Sequence, residues 1–146
     1  GTRCASITAA NLALRLGVRR LIAAGICLPQ NMRPTEEQRR SGWSAPVLSE
    51  EDKKAHEMRV MPHDVAAISV GLIDGKSYLD LDYNLDSNAD VDMNVVKVSD
   101  GSFVEVQGTG EEATYQREEL DALLDMADVG FSSLFEMQKS ILDGQE

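Results

Sequence analysis

The spacing of apolar residues predicts two long helices, one near each end of the chain. Residues 5–24 are rich in Ala and Leu, contain no Pro and place apolar side chains all around the helix axis. That pattern is typical of a largely buried helix, with Gly25 as its C-terminal stop. Residues 117–142 repeat apolar residues at helical spacing and predict a long amphipathic helix that can bend near Gly130.

Between these helices the period of the apolar residues changes to two, which predicts β-structure. Four strands are predicted, at residues 65–71, 77–83, 93–98 and 103–106. Asp74-Gly75 and Asp100-Gly101 have the composition of tight turns, and residues 108–114 are expected to form a loop. The predicted fold class is α+β, a mainly antiparallel sheet with helices packed on one face.

Residues 29–62 interrupt this pattern. They contain all four prolines and many charges, and they show no sustained apolar period. This composition predicts an extended and partly mobile loop inside one domain that spans residues 1–146. One short helix is expected within it, because Ser49 and Asp52 resemble a capping box and Glu50 can pair with Lys54.

The charge of the chain is strongly asymmetric. The net charge is −11, yet residues 1–62 hold ten basic and six acidic residues, whereas residues 63–146 hold four basic and nineteen acidic ones. An acidic total argues against a protein that binds nucleic acid over its whole surface. Two cysteines are too few for a disulfide scaffold, and no secretory signal or apolar run of membrane length is evident. A cytoplasmic protein without a membrane partner is therefore expected.

Acidic and amide residues alternate along one segment, and they are the first candidate for chemistry. The alternating residues are Asp80, Asp82, Asn84, Asp86, Asn88, Asp90 and Asp92. On a strand they would share one face, where so many carboxylates need either solvent or a hard cation such as Mg²⁺, Mn²⁺ or Ca²⁺. A calcium loop starting at Asp82 fails, because Ser87 and Met93 stand where Gly and Glu are required. An exposed acidic edge is the alternative.

The second candidate is Gly1-Thr2-Arg3, which leads directly into the first predicted helix. Unpaired N–H groups at a helix start attract anions, and a guanidinium such as that of Arg3 offers a forked phosphate donor. An ordinary helix entry explains three such residues equally well.

Several segments, taken in order, resemble the C-terminal half of bacterial ribonuclease PH. They are residues 1–8, 65–71, 80–83, 86–87, 92–96 and 104–113, with residues 117–120 and 138–139 in the last helix. The family is a phosphate-dependent 3′-to-5′ exoribonuclease (a nucleotidyltransferase) that trims transfer RNA precursors. Phosphate attacks the terminal phosphodiester, and a nucleoside diphosphate leaves.

This resemblance implies roles for individual residues and partners for the chain. Gly1, Thr2 and Arg3 match the phosphate-binding motif, Asp86 and Asp92 match the carboxylates that serve catalysis and metal binding, and Ser6 and Asp80 are secondary candidates. The implied cofactors are inorganic phosphate as co-substrate and Mg²⁺ or Mn²⁺. The implied partners are RNA, with roles in transfer RNA and ribosomal RNA processing, and further copies in a hexameric ring of dimers.

The chain also departs from the family's pattern. Cys4, Ala9 and Leu85 replace the family's usual Thr, Gly and Glu, and the connection at residues 29–62 is much longer. A family member has about as many residues again before the Gly-Thr-Arg motif, so we expect this chain alone to be incomplete and poorly active. Two alternatives stay open: a catalytically inert RNA-binding or scaffolding subunit of an exosome-like ring, and an acidic module that binds divalent cations.

Overall fold

The structure, a computed structural model, describes residues 1–111 and 113–144. In chain order its elements are α1 (Thr2–Ala23), α2 (Glu36–Arg40), α3 (Glu50–Val60), β1 (Val65–Ile73), β2 (Lys76–Leu79), α4 (Tyr83–Asp86), β3 (Val91–Val98), β4 (Phe103–Gly110) and α5 (Arg117–Asp143). A 3-10 turn, Gln30–Met32, precedes α2. The chain divides into two compact units, one of residues 1–12 with 63–146 and one of residues 13–62. The two units are described separately below.

The larger unit is built on an antiparallel sheet with the strand order β2-β1-β3-β4. A hairpin turn at Asp74 and Gly75 joins β1 to β2, and both residues have positive φ, at 51° and 72°. Two positive φ values match the right-handed twist of the paired strands, which is why an Asp-Gly pair suits this turn. The predicted α+β class and this hairpin are confirmed.

Helix α5 covers one face of the sheet. Alternate residues of β1 and β3 form the core against it, namely Ala66, Ile68, Val70, Leu72, Val91, Met93 and Val95. Leu123, Ala127 and Phe131 of α5 are the buried side chains that meet them. This continuous helix confirms the predicted amphipathic element, whose apolar stripe faces the sheet.

The first turns of α1 contact the opposite face of the same sheet. Cys4 and Ile7 pack against Ala67 and Val96, which alternate with the residues that face α5. Thr8 also bonds to the backbone of β1 at Ala67, which lies beyond the part of β1 that pairs with β2. The Thr8 hydroxyl accepts a hydrogen bond from the Ala67 N–H at 3.0 Å and donates one to the Ala67 carbonyl at 3.3 Å. Helices therefore contact both faces of the sheet, rather than the single face expected from the sequence.

The smaller unit, residues 13–62, is more ordered than the loop predicted for residues 29–62. It contains α2, α3 and the 3-10 turn as well as the later turns of α1. Ile22, Leu28 and Leu48 are buried together in a small core. The predicted cap of the short helix is confirmed, because the Ser49 hydroxyl accepts a hydrogen bond from the Asp52 N–H at 3.1 Å.

Four predicted boundaries or environments were wrong. Helix α1 begins at Thr2 and is not largely buried, since Leu14 is 64% exposed and Leu21 is 43% exposed. Strand β2 ends at Leu79, and β4 runs on to Gly110 through part of the predicted loop.

Within residues 1–111 and 113–144, no helix is both long and apolar enough to cross a membrane.

Candidate functional site

Polar residues are concentrated on the sheet face that α1 contacts, which we call the α1 face. In the β3–β4 register, Asn94 lies opposite Gln107, and Val96 lies opposite Glu105. Asp92 precedes Asn94 by two positions and so shares their face. The start of α1 crosses this face, which brings Gly-Thr-Arg beside the polar ends of the two strands.

Arg3 is held by two side chains of β4. Its guanidinium forms an ion pair with Glu105 at 2.6 Å and donates a second hydrogen bond to the side-chain oxygen of Gln107. The hydrogen bond and the charge of Glu105 raise the pKa of Arg3. Because the side chain of Arg3 is 48% exposed, the guanidinium stays accessible to a ligand from solvent.

Asp80 lies beside Gly1 where the chain leaves the sheet. A Cβ atom at Gly1 would lie 3.7 Å from Asp80 Oδ1. Asp80 has a φ of 54°, unusual for a residue with a side chain, and its N–H donates to the Ser69 carbonyl at 2.8 Å. The buried side chain of Leu81 anchors this departure, filling the space left by the absent Cβ of Gly71.

The acidic segment folds as a short helix and not as a strand. Asp82 caps α4 by accepting a hydrogen bond from the Leu85 N–H at 2.8 Å, and Asp86 ends the helix in an exposed position. The condition for a shared face, an extended strand through residues 80–92, is therefore not met. Asp residues favour caps and turns because their side chains bond to nearby backbone N–H groups, and that preference outweighed the period of two.

Asp92 is a partly buried carboxyl group of this site. Burial raises the pKa of Asp92, and the negative charges of Asp86 and Glu111 raise it further. The charge of Asp86 therefore acts on Asp92, although the two residues lie on different elements, α4 and β3. A raised carboxyl pKa from burial and a like charge is typical of functional sites.

Cys4 contributes a buried thiol to the same face. Its Sγ donates to the side-chain oxygen of Asn94 at 2.9 Å, and burial raises the pKa of the thiol. Cys4 is therefore a neutral donor that orients Asn94 next to Asp92.

The structure places all the sequence-predicted site residues in the larger unit. It places Gly1 beside Asp80 and sets Arg3 on the sheet face that Asp92 shares, whereas Asp86 lies at the end of α4. The Ser6 hydroxyl donates to the Thr2 carbonyl at 2.8 Å, within α1.

Sequence reasoning missed Glu105, Gln107 and Asn94 as members of this site. Glu105 and Gln107 are two positions apart on a predicted strand, and that spacing was the available signal that they share a face. Asn94 was visible only as one more polar residue in the acidic segment. Which face each residue occupies depended on the pairing of β3 with β4.

The carboxylates fit a magnesium ion by their chemistry. Among the described residues, no three His, Cys, Asp or Glu side chains are grouped as a complete protein site for a metal. Mg²⁺ commonly takes only one or two carboxylates and completes its shell with water and substrate phosphate. Asp86 and Asp92 supply two such oxygens, and a divalent cation would offset their mutual repulsion.

Comparison with known proteins connects this geometry to a family. Residues 63–130 match the 3′ exoribonuclease family, domain 2. The chain is 42% identical to ribonuclease PH of Synechococcus sp. (strain CC9605) over 139 residues, 95% of this chain and 44% of that protein. It is 41% identical to ribonuclease PH of Rhodopirellula baltica over 142 residues, 97% of this chain and 48% of that protein.

The chain spans slightly under half the length of these curated relatives. Identity rises to 56% over 78 residues with ribonuclease PH of Syntrophomonas wolfei, covering 53% of this chain and 33% of that protein. The crystal structure of rice Rrp46 is similar with a TM-score of 0.50 at 14% identity, over 56% of this chain and 38% of that chain. That likeness shows the fold alone, and the sequence identities confirm the resemblance to the C-terminal half of ribonuclease PH.

Proposed function

Because the chain carries domain 2 of the 3′ exoribonuclease family and resembles ribonuclease PH, we propose that it takes part in the phosphate-dependent removal of nucleotides from RNA 3′ ends. The observation that carries the proposal is that Arg3 bonds to Gln107 of β4, which lies opposite Asn94, two positions from Asp92 on the same face of β3. A cation and a carboxylate on one sheet face suit a reaction between two anionic phosphates.

Arg3 is the residue that binds the attacking phosphate in this proposal. One N–H of its guanidinium pairs with Glu105 and another bonds to Gln107, which fixes the orientation of the group. A guanidinium has five N–H donors, so the others are the ones that bind phosphate in this proposal. The unpaired N–H groups at the start of α1 add donors for the same anion.

Asp86 and Asp92 hold the divalent cation, Mg²⁺ or Mn²⁺. When bound, such an ion neutralises charge on the scissile phosphate. Asp92 must lose its proton to serve as a ligand, and its raised pKa makes metal binding stronger as the pH rises. Asp80 and Ser6 have no assigned step, although Asp80 adds negative charge beside Gly1.

The finer parts of the function are proposals of the same kind. The substrate is the 3′ end of a transfer RNA precursor, with ribosomal RNA as a further substrate, and the products are nucleoside diphosphates. The working assembly is a hexameric ring of dimers in the cytoplasm. These proposals rest on the similarity to ribonuclease PH.

The test compares Asp92→Asn with Asp125→Asn, which removes the same charge from an exposed position of α5. Release of nucleoside diphosphate from an unstructured RNA is measured with inorganic phosphate and Mg²⁺, and Mn²⁺ binding is measured by electron paramagnetic resonance. We expect Asp92→Asn to lower the rate by about 100-fold and to weaken Mn²⁺ binding. Asp125→Asn should change neither.

Two outcomes would favour the alternatives. Equal RNA binding and no phosphate-dependent turnover in either protein would favour an inert subunit of a ring. Tight and Ca²⁺-selective binding without turnover would favour an acidic cation-binding module.

A further inference from the structure

The smaller unit contains a cavity that no predicted site uses. It is an open depression with a volume of about 540 Å³, lined by Pro29, Gln30, Asn31, His56, Arg59 and Val60, of which His56 is buried and Gln30, Asn31, Arg59 and Val60 are exposed. The 3-10 turn forms one side and the C-terminal half of α3 forms the other. A volume between about 300 and 1,000 Å³ is the usual range for small-molecule pockets.

Positive charge converges on this cavity. Its lining includes one guanidinium, one imidazole and two amides, and it includes no carboxylate. The Arg59 Nε–H donates to the Ala55 carbonyl at 3.3 Å within α3, and the Arg33 Nε–H donates to the Leu28 carbonyl at 3.0 Å. Both positive charges act on His56, whose pKa is lowered by burial and then by Arg59 and Arg33.

Three of the four carboxylates of α3 have partners of their own. Glu57 accepts from Arg15 at 3.0 Å and from Arg19 at 2.9 Å. Glu50 pairs with Lys53 at 2.6 Å, and Asp52 accepts from the Ser49 hydroxyl at 2.7 Å. No carboxylate of these three neutralises the lining of the cavity, so an anion from solvent is the complement that the lining favours.

We propose that this cavity binds a phosphate group, carried by a nucleotide. Arg59 is the forked donor, and the Gln30 and Asn31 amides add neutral hydrogen bonds. Pro29 and Val60 give the apolar surface against which a ribose or base packs. His56 lines the cavity and is 6% exposed, and its Nε2 lies 3.7 Å from the Cys27 Sγ. A ligand in the cavity would therefore change the environment of the imidazole ring.

The two histidines of the chain make the test local. His56 and His63 each give one imidazole Cε1–H signal, and His63 lies in the larger unit, where its Nε2 is 3.7 Å from Asp100. The chain is titrated at constant pH with inorganic phosphate and, separately, with a nucleoside monophosphate. We expect the His56 signal to shift and saturate while the His63 signal stays in place.

Two arginine variants separate the site from general charge. Arg59→Gln should weaken the His56 response at least fivefold, whereas Arg39→Gln, an exposed arginine of α2, should leave it unchanged. Tighter binding of the nucleotide than of free phosphate supports the full proposal. Equal binding would overturn the part of the proposal that names a nucleotide and would leave a site for phosphate alone. An unsaturable His56 shift, or equal losses in both variants, would overturn the proposal.

This inference stands apart from the proposed reaction. Arg3→Gln should abolish phosphate-dependent turnover and leave the His56 titration unchanged. Loss of the His56 response in Arg3→Gln would contradict a separate site, and turnover without any His56 response would leave the proposed reaction standing alone.

Discussion

Asp92 connects the chemistry of the site to the stability of the fold. Its pKa is raised in the folded chain, by burial first and then by the charge of Asp86. The native state therefore keeps this proton to a higher pH than the unfolded state does. As the pH rises from the ordinary Asp range through the raised value, the free energy of unfolding decreases.

Asp92→Asn should remove that dependence. We expect the variant to be more stable than the parent at neutral pH, by less than about 1 kcal/mol, because the repulsion with Asp86 disappears. Below the ordinary pKa of Asp the difference should vanish. Thermal unfolding followed at several pH values checks this, with Asp125→Asn as the charge control. If the stability difference between Asp92→Asn and the parent stays constant with pH, the raised pKa of Asp92 is not its cause.

Glu57 carries a second charge effect at the residue scale, in the smaller unit. Its two carboxylate oxygens accept from Arg15 and Arg19, and the side chains of Arg15 and Glu57 are only 3% and 8% exposed. Glu57→Gln removes the buried negative charge that both guanidinium groups contact. We expect a loss of about 3–5 kcal/mol, measured by denaturant unfolding.

The matched control for Glu57 is Glu50→Gln. Glu50 pairs with Lys53 but is 81% exposed, so solvent replaces the lost interaction. Its substitution should cost less than about 1 kcal/mol. Similar losses in the two variants would show that burial does not determine the strength of the Glu57 ion pairs.

At the scale of elements, two helical glycines have opposite surroundings. A Cβ at Gly130 of α5 would lie 2.1 Å from Ile68 Cδ1 and 2.9 Å from Leu79 Cδ1, whereas a Cβ at Gly17 of α1 meets nothing within 4 Å. The glycine in α5 therefore allows the helix to approach the sheet closely. The glycine in α1 only weakens its helix.

Alanine substitutions test this contrast. We expect Gly130→Ala to destabilise the chain by about 1–3 kcal/mol through overpacking and Gly17→Ala to stabilise it by about 0.5–1 kcal/mol through helix propensity. Chemical denaturation measures both. Adding Ile68→Val, which deletes the Cδ1 atom nearest to the new methyl group, should recover part of the loss in Gly130→Ala. Strictly additive effects would exclude this contact as the cause.

Elements that depend on local pattern were predicted well from the sequence. The α5 stripe, the buried strand β1 and the Asp74-Gly75 hairpin each follow from the spacing and types of neighbouring residues. The segment after Leu79 was predicted wrongly. The alternation of polar residues there predicted a strand, but Asp82 caps a helix instead. The buried side chain of Leu81, packed against Gly71, fixes the position of the turn.

At the scale of the molecule, charge divides between the two units. Residues 13–62 hold nine basic and six acidic residues, whereas the remaining residues hold five basic and nineteen acidic ones. The proposed reaction is assigned to the acidic unit, where the proposed divalent cation would offset negative charge as an RNA phosphate approaches. RNA turnover should therefore depend steeply on the concentration of divalent cation.

The chain assayed alone should show weak phosphorolysis. The chain spans 44% and 48% of two ribonuclease PH relatives. An assay of this chain therefore does not include the surfaces that the rest of those proteins supply. Release of nucleoside diphosphate per molecule is compared with that of a ribonuclease PH at equal concentration, phosphate and Mg²⁺. Turnover equal to that of the relative would contradict this expectation.

The sequence by itself determined the α+β class, the hairpin, the long amphipathic helix and the family resemblance, because periodicity, turn chemistry and ordered motifs are local properties. Tertiary structure decided which polar residues meet. Arg3 contacts Glu105 and Gln107, which are more than 100 positions away, and Asp86 lies on a capped helix whereas Asp92 lies on a strand. The physical reason is that strand pairing and the crossing of α1 set the faces, and the charges and pKa values of the site follow from those faces.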